Sequence, residues 1–387
     1  MKNPLSDTNS HHRWRSINVS FSGSIKRSPN KGDRMAETRM PSSWTLHLQT
    51  ANDYGVWTGG ANPKEMDSLK TTSFTGGLRF WTDALLRAEG RECCTGQSRC
   101  SYGGGGKPVC PTCAIFGCTG LSRAFTVRTE TPDFSSVTKD GHPVHLDSFA
   151  YNNSQGERIT PKYYPTKGYC GPITLSLSMR RPHNRSFTLP PEVLTALYLM
   201  LEYGTFGAYD QYGCGQVNMD ADEKKALREA CSAWKTEDRP ADTGGVTLRD
   251  FFFFKGVTEA QNPEAMYEIR HDIRNLLRAP SLPNPVATRL RHWFCGALRN
   301  PAGGTNYAYS VDPRTGQIYG WGHFARAGVE FTKFRETAVR SVYDTVRKKC
   351  SGNSFVWKEF GSPRDPSSPR DWPGYLASLI STEWRQS

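Results

Sequence analysis

Six cysteines lie in the stretch RECCTGQSRCSYGGGGKPVCPTCAIFGC, residues 91–118, of a chain that contains eleven. Cys110 and Cys113 form a C-x-x-C knuckle, in which two thiolates bind one tetrahedral ion while the amides of the turn point at the sulfurs. We expect the second pair to be Cys100 with Cys94 or Cys93, and we assign Cys94. Four cysteine ligands leave no open coordination position, so the spacing predicts a structural Zn2+ site; free thiols in a loop are the alternative.

The stretch TTSFTGGLRFWTDALLRAEG, residues 71–90, combines paired glycines with apolar residues at helical spacing. The pattern predicts a helix that opens at Gly76 and Gly77 and carries Arg79 in its first turn. Unpaired amides at a helix start attract phosphate, and glycine lets a phosphate approach them closely. A tight turn with no ligand is the alternative interpretation.

A second glycine-rich stretch, EYGTFGAYDQYGCGQV, covers residues 202–217. It contains four glycines, whose backbone freedom suits a loop that wraps around a strand of nucleic acid. Its tyrosines supply rings for stacking on bases, and its glutamine supplies a hydrogen-bonding amide. The candidate RNA contacts in this loop are Tyr209, Gln211, Tyr212, Gly213 and Gly215.

The charge balance favours a polyanionic partner, because 49 Lys and Arg face 37 Asp and Glu, for a formal net charge of +12. Aromatic residues make up 12% of the chain, and rings beside cations favour nucleic acid over a membrane surface. We find no apolar window long enough to span a membrane and no signal peptide, so we expect a cytoplasmic protein. In that reducing compartment, clustered cysteines indicate metal rather than disulfides.

The order of predicted elements in the first half is β-α-β-β-α-β, which is the order of a ferredoxin-like or RRM-like unit. Alternating patterns predict strands at 43–51, 124–130 and 172–180 and a short strand around QVNM. Helices are predicted after the glycine pair and at 190–204, where prolines begin the helix and a glycine ends it.

The second half predicts a second, degenerate unit of the same kind, which makes the fold class α+β. LRDFFFFKGV is a predicted strand and NYAYSVDPRTGQIYGWGHF a predicted hairpin. Helices are predicted around 262–278, 286–299 and 330–349. The predicted domains are a basic flexible arm at 1–40, a first domain at 41–220 and a second at 221–387.

Four of these motifs together resemble RAMP proteins of type III CRISPR effector complexes. LKTTSFTGGLRFWTDAL is similar to the start of their first helix, CPTCAIFG to their C-x-x-C-x-x-FG element, LSRAFTVR to their Ser-Arg strand, and YGTFGAYDQYGCGQV to their glycine-rich loop. The matches cover about residues 44–219 and are most similar to the end-cap RAMP subunit of the Cmr complex, type III-B. The long cysteine insertion departs from that subunit and is similar to subunits of types III-D and III-E.

The resemblance implies a non-catalytic RNA-binding subunit near one end of a ribonucleoprotein that acts in antiviral defence. Its expected partners are guide (CRISPR) RNA, target RNA and other type III effector subunits. By position, Gly76, Gly77 and Arg79 match the helix-start loop, and Arg123 and Arg128 match the basic strand. The segment from Tyr209 to Gly215 matches the glycine-rich loop.

An enzymatic alternative depends on one carboxylate. In RAMP backbone subunits, cleavage of target RNA is attributed to a loop Asp between the first strand and the first helix, and Asp67 lies at that place here. The chain would then be a metal-dependent endoribonuclease. A pure assembly subunit, whose basic surface contacts neighbouring proteins, is a further alternative.

Overall fold

The structure is a computed structural model of the chain. It describes residues 41–52, 55–59, 66, 68–94, 100–102, 108–132, 138–139, 142–143, 146–147, 151–152, 158–159, 162–163, 168–180, 188–207, 214–232, 234–242, 244–258, 272, 307–311, 315–323, 328–350 and 354–381. The basic arm predicted at 1–40 lies outside these ranges.

The first half contains the predicted β-α-β-β-α-β order with one added helix. Its main elements are β1 (Ser43–Thr50), α1 (Thr71–Ala88), α2 (Pro111–Phe116), β2 (Phe125–Glu130), β9 (Pro172–Met179), α3 (Pro191–Tyr203) and β10 (Val217–Met219). Between β2 and β9 lie three antiparallel pairs of two-residue strands: β3 (Thr138–Lys139) with β4 (His142–Pro143), β5 (Leu146–Asp147) with β8 (Lys162–Tyr163), and β6 (Tyr151–Asn152) with β7 (Arg158–Ile159).

The four long strands of this half form an antiparallel sheet in the order β10-β1-β9-β2. Counted within the unit, that order is 4-1-3-2, the arrangement of a ferredoxin-like sheet. One face of the sheet is apolar, with Leu46 and Leu48 of β1 beside Leu175 of β9, all buried. This face packs in the same core as α1 and α3, which confirms the predicted ferredoxin-like fold class for this half.

The second half repeats the strand order. It contains α4 (Ala221–Cys231), a 3-10 turn (Leu248–Asp250), β11 (Phe251–Val257), β12 (Tyr307–Val311), β13 (Gln317–His323), α5 (Gly328–Lys349), β14 (Val356–Glu359) and α6 (Trp372–Ser381). The sheet order is β12-β13-β11-β14, again 4-1-3-2 when read from β14. The predicted helices at 262–278 and 286–299 fall outside the described residues, apart from Asp272.

The second sheet packs against the helices of the first half. Trp81 of α1 lies 5.5 Å from Phe251 between ring centroids, and Tyr203 of α3 lies 4.8 Å from Phe253. The opposite face of β11 is buried too, since Phe252 stacks on Trp357 of β14 at 4.9 Å and Tyr343 of α5 packs against that tryptophan at 5.2 Å. Strand β11 is therefore buried on both faces.

Helix α6 ties the C-terminal part to α3. The hydroxyls of Tyr198 and Tyr203 donate to the carbonyls of Ile380 and Leu379, at 3.2 and 2.9 Å. Residues 39–387 form one compact unit. This unit is not divided at the predicted domain boundary of 220–221, and that boundary stays a prediction. Among the described helices, none combines the length and hydropathy that a membrane span needs.

Candidate metal centre and nucleic-acid surface

The predicted start of the first helix is wrong. Helix α1 begins at Thr71, so Gly76 and Gly77 lie in its second turn rather than at its mouth. Only the first four amides of a helix lack an intrahelical carbonyl, so these two glycines do not present free helix-start amides to a phosphate. The sequence before the pair, TTSF, contains no helix breaker, which allows the helix to extend past the glycines towards the N-terminus.

Each of the two glycines has a different setting. A Cβ built on Gly77 would lie 3.2 Å from Sδ of Met200, so this glycine allows α3 to approach α1 closely. A Cβ built on Gly76 meets nothing within 4 Å, and this residue is exposed. Packing therefore accounts for Gly77. Contact of either glycine with RNA stays a prediction.

The structure brings together the four cysteines that the spacing singled out. The Sγ atoms of Cys94, Cys100, Cys110 and Cys113 all lie within 4.8 Å of one another. Four thiolates about 2.3 Å from one tetrahedral ion would be about 3.8 Å apart, so the group has the size of a tetrathiolate site. The Sγ atoms of Cys94 and Cys113 lie 3.4 Å apart, so the cysteine segment after α1 and the segment at α2 meet at the cluster.

Helix α2 positions the C-x-x-C knuckle. Cys110 is its N-cap residue, Pro111 occupies the first turn, and Cys113 lies one turn later on the same side. The helix ends after Phe116, where Gly117 adopts a φ of 83° that L side chains rarely adopt. Within the cluster, a hydrogen bond from Cys93 lowers the pKa of the Cys110 thiol, whereas burial raises the pKa of the Cys113 thiol.

The two other cysteines of the insertion lie beside the group. Cys93 is buried, its Sγ accepts a hydrogen bond from Oγ1 of Thr112 at 3.3 Å, and its thiol has a pKa raised chiefly by its hydrogen bond with Cys110. Cys118 exchanges backbone hydrogen bonds with Leu121 just beyond α2. Of the two alternatives left open by the sequence, Cys94 belongs to the group whose Sγ atoms lie within 4.8 Å of one another.

One face of α1 contacts both cysteine segments. Arg79, Asp83 and Arg87 lie at i, i+4 and i+8, so they share one side of the helix. Arg79 donates through Nη2 to Sγ of Cys113 and through Nη1 to the carbonyl of Gly117, both at 3.1 Å. Asp83 accepts a hydrogen bond from the hydroxyl of Thr112 at 2.9 Å.

Arg87 is fully buried and holds the other cysteine segment. Its Nη2 donates to the carbonyls of Cys93 and Cys94, the latter at 3.0 Å. The guanidinium is paired with Asp83 at 3.1 Å and with Asp242 from the segment that precedes β11. Two carboxylates thus neutralise the buried cation.

A cavity of about 530 Å³ opens beside the cysteine cluster. Three of the four clustered cysteines line it, together with residues of α1 and of the segment after α2. These other lining residues are Gly76, Arg79, Phe80, Asp83, Gly117, Cys118 and Thr119. The cavity therefore lies between helix α1 and the cysteine-rich insertion.

The ends of the second glycine-rich loop are fixed against the segment after β1. Gly207 pairs with Trp57 in a parallel bridge, and a Cβ on Gly207 would lie 1.9 Å from the Trp57 carbonyl oxygen. The amide of Gly215 donates to the carbonyl of Gly55 at 2.7 Å. Gly207 and Gly215 have φ of 85° and 89°, so both positions require glycine.

The central residues of that loop lie outside the described part of the chain. They are Tyr209, Gln211, Tyr212 and Gly213, and their contact with RNA stays a prediction. The same is true of Asp67, the alternative catalytic residue. The described residues Gly207 and Gly215 contact Trp57 and Gly55, which follow β1.

The two arginines of the predicted basic strand have different surroundings. Arg123 precedes β2 and donates to the hydroxyl of Thr75 at 3.2 Å. Arg128 is exposed on β2, at the edge of the first sheet, and is paired in register with Ser176 of β9. Thr45 of β1 pairs with the same serine, so the polar face of the sheet runs from β1 to Arg128.

Sequence reasoning missed Asp83, Arg87 and Asp242 as supports of the cysteine cluster. The spacing of charged residues at i, i+4 and i+8 on an otherwise apolar helix could have identified Asp83 and Arg87 from the sequence. Asp242 lies 155 residues from its partner Arg87, and no local pattern reveals such a contact.

The fold and the site define an α+β protein of ferredoxin-like units with a cysteine cluster inserted after the first helix. A family model described as the RAMP superfamily matches residues 54–218, from the segment after β1 into β10. This region is therefore a RAMP-superfamily domain, and the resemblance inferred from the motifs is confirmed for it. No curated protein matches the chain by sequence.

Two solved structures are similar to the chain. Cmr1 from Pyrococcus furiosus, in its apo form, is 12% identical, with 72% of this chain and 85% of that chain covered and a TM-score of 0.37. A chain of the type III-B Cmr-beta complex bound to cognate target RNA and AMPPnP, in the presence of ssDNA, is 10% identical. That match covers 78% of this chain and 99% of that chain, with a TM-score of 0.42.

Proposed function

We propose that the protein is a non-catalytic RNA-binding subunit of a type III CRISPR ribonucleoprotein effector complex. It contacts guide RNA, target RNA or both near one end of that complex, beside other effector subunits, and acts in antiviral defence in the cytoplasm. The observation that carries the proposal is the RAMP-superfamily match, which covers the first ferredoxin-like unit from the segment after β1 into β10. The formal charge of +12 supports a polyanionic partner.

The proposed RNA surface belongs to the first unit. Arg128 supplies an exposed cation at the edge of a sheet whose outer face carries hydroxyl and amide groups, which can donate to phosphate and ribose. The glycine-rich loop supplies the proposed base contacts Tyr209, Gln211 and Tyr212, and the residues that flank it, Gly207 and Gly215, are held by backbone contacts. Arg123 extends the basic edge towards α1.

We further propose that the cysteine cluster binds a structural Zn2+. Cys94, Cys100, Cys110 and Cys113 would hold the ion, since their donor type and spacing fit it. A zinc ion with four thiolates crosslinks the two cysteine segments and supplies no open position for a substrate. The chain's own contribution is to hold those segments against α1 before the ion binds, through Arg87 and Asp83.

Binding of single-stranded RNA by the full-length chain tests the RNA proposal. We expect fluorescence anisotropy to show binding that weakens with salt, and Arg128→Gln to reduce the logarithmic salt slope by about 0.7 for one lost phosphate contact. The matched control is Arg340→Gln, an arginine with 68% exposure on α5 of the second half. Equal effects of the two substitutions, or salt-independent binding, would contradict the assigned surface.

Elemental analysis of the purified protein tests the metal. We expect about one zinc per chain, lost in Cys113→Ser, with a fall in thermal stability on chelation because metal binding contributes folding free energy. A folded wild-type chain without zinc would remove the metal centre from the proposal and would leave the RNA surface untouched.

The non-catalytic assignment is tested in an assembled complex that carries Asp67→Ala. We expect target RNA to be cut at every site as in the wild-type complex. Loss of one cleavage site with unchanged assembly would instead make this chain a catalytic RAMP subunit.

A further inference from the structure

We propose that Arg79 is a positioning and charge-compensating residue of the metal centre, which it supports by a hydrogen bond to a ligand sulfur. This inference rests on the proposed zinc site. It changes the role of the arginine that the sequence motif assigned to phosphate binding at a helix start.

The first argument is geometric. Arg79 lies in the second half of the TTSFTGGLR segment, well inside α1, and its guanidinium points at the insertion. It donates to Sγ of Cys113 and to the carbonyl of Gly117, so one side chain contacts a proposed ligand and the residue that ends α2. Groups that donate to metal ligands fix their orientation and tune the metal.

The second argument is charge. A divalent ion with four thiolates carries a formal charge of about −2, and of the cysteines that would hold it Cys113 is buried and the other three are half-buried. Arg87 is already paired with Asp83 and Asp242. Arg79 has no carboxylate partner among the described residues, where its acceptors are a sulfur and a carbonyl oxygen. It is thus the α1 cation whose charge remains available to the thiolates.

The third argument is the comparison with Arg123, an arginine that also contacts α1. Arg123 donates to the hydroxyl of Thr75 and contacts no clustered cysteine among the described residues. The two arginines are about equally sheltered, yet only Arg79 lines the cavity beside the cluster. Arg123 therefore provides a matched control.

The test compares metal retention in full-length Arg79→Gln, Arg79→Lys and Arg123→Gln. We expect Arg79→Gln to weaken Zn2+ affinity about 10- to 100-fold in chelator competition, the range for lost supporting hydrogen bonds at metal sites. Arg79→Lys keeps the charge without the forked geometry, so its Zn2+ affinity should lie between those of wild type and Arg79→Gln. Arg123→Gln should keep the wild-type Zn2+ affinity, because its hydrogen bond goes to Thr75 rather than to a cysteine. In Co2+-loaded protein, the thiolate-to-cobalt charge-transfer band should shift in Arg79→Gln alone.

Several outcomes overturn the inference. The inference is wrong if Arg79→Gln has wild-type metal affinity and an unshifted cobalt band. If that variant also loses RNA binding, Arg79 is an RNA contact instead. If Arg79→Gln does not fold, the Zn2+ affinity and the cobalt band of Arg79→Lys test the inference instead. A wild-type chain that binds no metal defeats the zinc proposal itself, which distinguishes the two failures.

Discussion

The two four-stranded sheets share one strand order and have opposite surroundings. In β1 of the first sheet, buried Leu46 and Leu48 alternate with exposed Thr45, His47 and Gln49, so one face is open. In β11 of the second sheet, every residue from Phe251 to Gly256 is buried. One sheet therefore offers a surface, whereas the other is an internal layer.

The difference shows how one topology can supply two roles. The helices of the first half cover the inner face of the first sheet and also one face of the second, through Trp81 and Tyr203. The outer face of the first sheet remains available for a partner. We therefore expect substitutions in the second sheet to act on stability and those on the open face of the first to act on binding.

The largest expected effect is that of Phe253→Ala. Phe253 is completely buried between Trp81, Tyr203 and Phe251, and removal of a core phenyl group typically costs about 3–5 kcal/mol. Urea denaturation measures this loss. Thr45→Ala on the open face of the first sheet is the control and should change stability by less than about 0.5 kcal/mol. Similar losses of unfolding free energy in both variants would contradict the proposed difference between the two sheets.

The second prediction concerns the buried ion cluster between the two halves. Glu202 of α3 pairs with Lys255 of β11 and, at 2.6 Å, with Lys224 of α4. Burial raises the pKa of Glu202, but the two lysines outweigh burial and the net shift is downward. Glu202→Gln removes the carboxylate that compensates Lys255, and we expect a loss of about 3 kcal/mol at pH 7.

The pH dependence of that variant sharpens the prediction. Burial lowers the pKa of Lys255 from 10.5 to about 8, so its charge falls as pH rises through 8. The cost of Glu202→Gln should therefore decrease between pH 7 and pH 9, as measured by denaturation at each pH. A cost that is independent of pH would show that packing, rather than charge, joins the two halves here.

A smaller effect is expected at the C-terminal end of α1. Burial raises the pKa of Glu89 from 4.5 to about 7, against the opposing charge of Arg91. The folded state thus holds the proton more tightly, so this group lowers stability progressively as pH rises from 4.5 to 7. Glu89→Gln should match wild type near pH 4.5 and exceed it above pH 7 by roughly 1–3 kcal/mol. Thermal melts at the two pH values measure the difference, and a constant offset would contradict the assignment.

The smallest effect is expected on the open face. His47 is 72% exposed, and its Nδ1 lies 2.6 Å from the Glu223 carboxylate. An exposed pair of this kind contributes about 0–1 kcal/mol, so His47→Ala should scarcely change the denaturation midpoint. A loss comparable to that of Phe253→Ala would show that this face is structurally required.

The sequence predicted the elements whose patterns are local. The alternation in SWTLHLQT and PITLSLSM and the prolines at the start of α3 each identified an element within about a residue of its observed bounds. The start of α1 was missed because paired glycines were taken as a boundary. Close packing of Gly77 against Met200 explains why a glycine is tolerated inside the helix.

The candidate site was predictable only in part. The C-x-x-C knuckle follows from spacing, and the structure brings its two cysteines together with Cys94 and Cys100. The supporting contacts of Arg79 and Asp242 depend on how distant segments meet, which no local pattern encodes. Helix α6 was missed because its role becomes apparent only through its contacts with α3.

The most direct test of the account is photocrosslinking of 4-thiouridine-substituted single-stranded RNA to the full-length chain, with crosslinked peptides identified by mass spectrometry. We predict crosslinks in the first unit, in peptides that contain β1, β2 with Arg128, or the loop between Gly207 and Gly215. We predict none in β11 or β13, which are buried. Crosslinks confined to the second half, or none in an RNA-bound sample, would contradict the assignment of the RNA surface to the first unit.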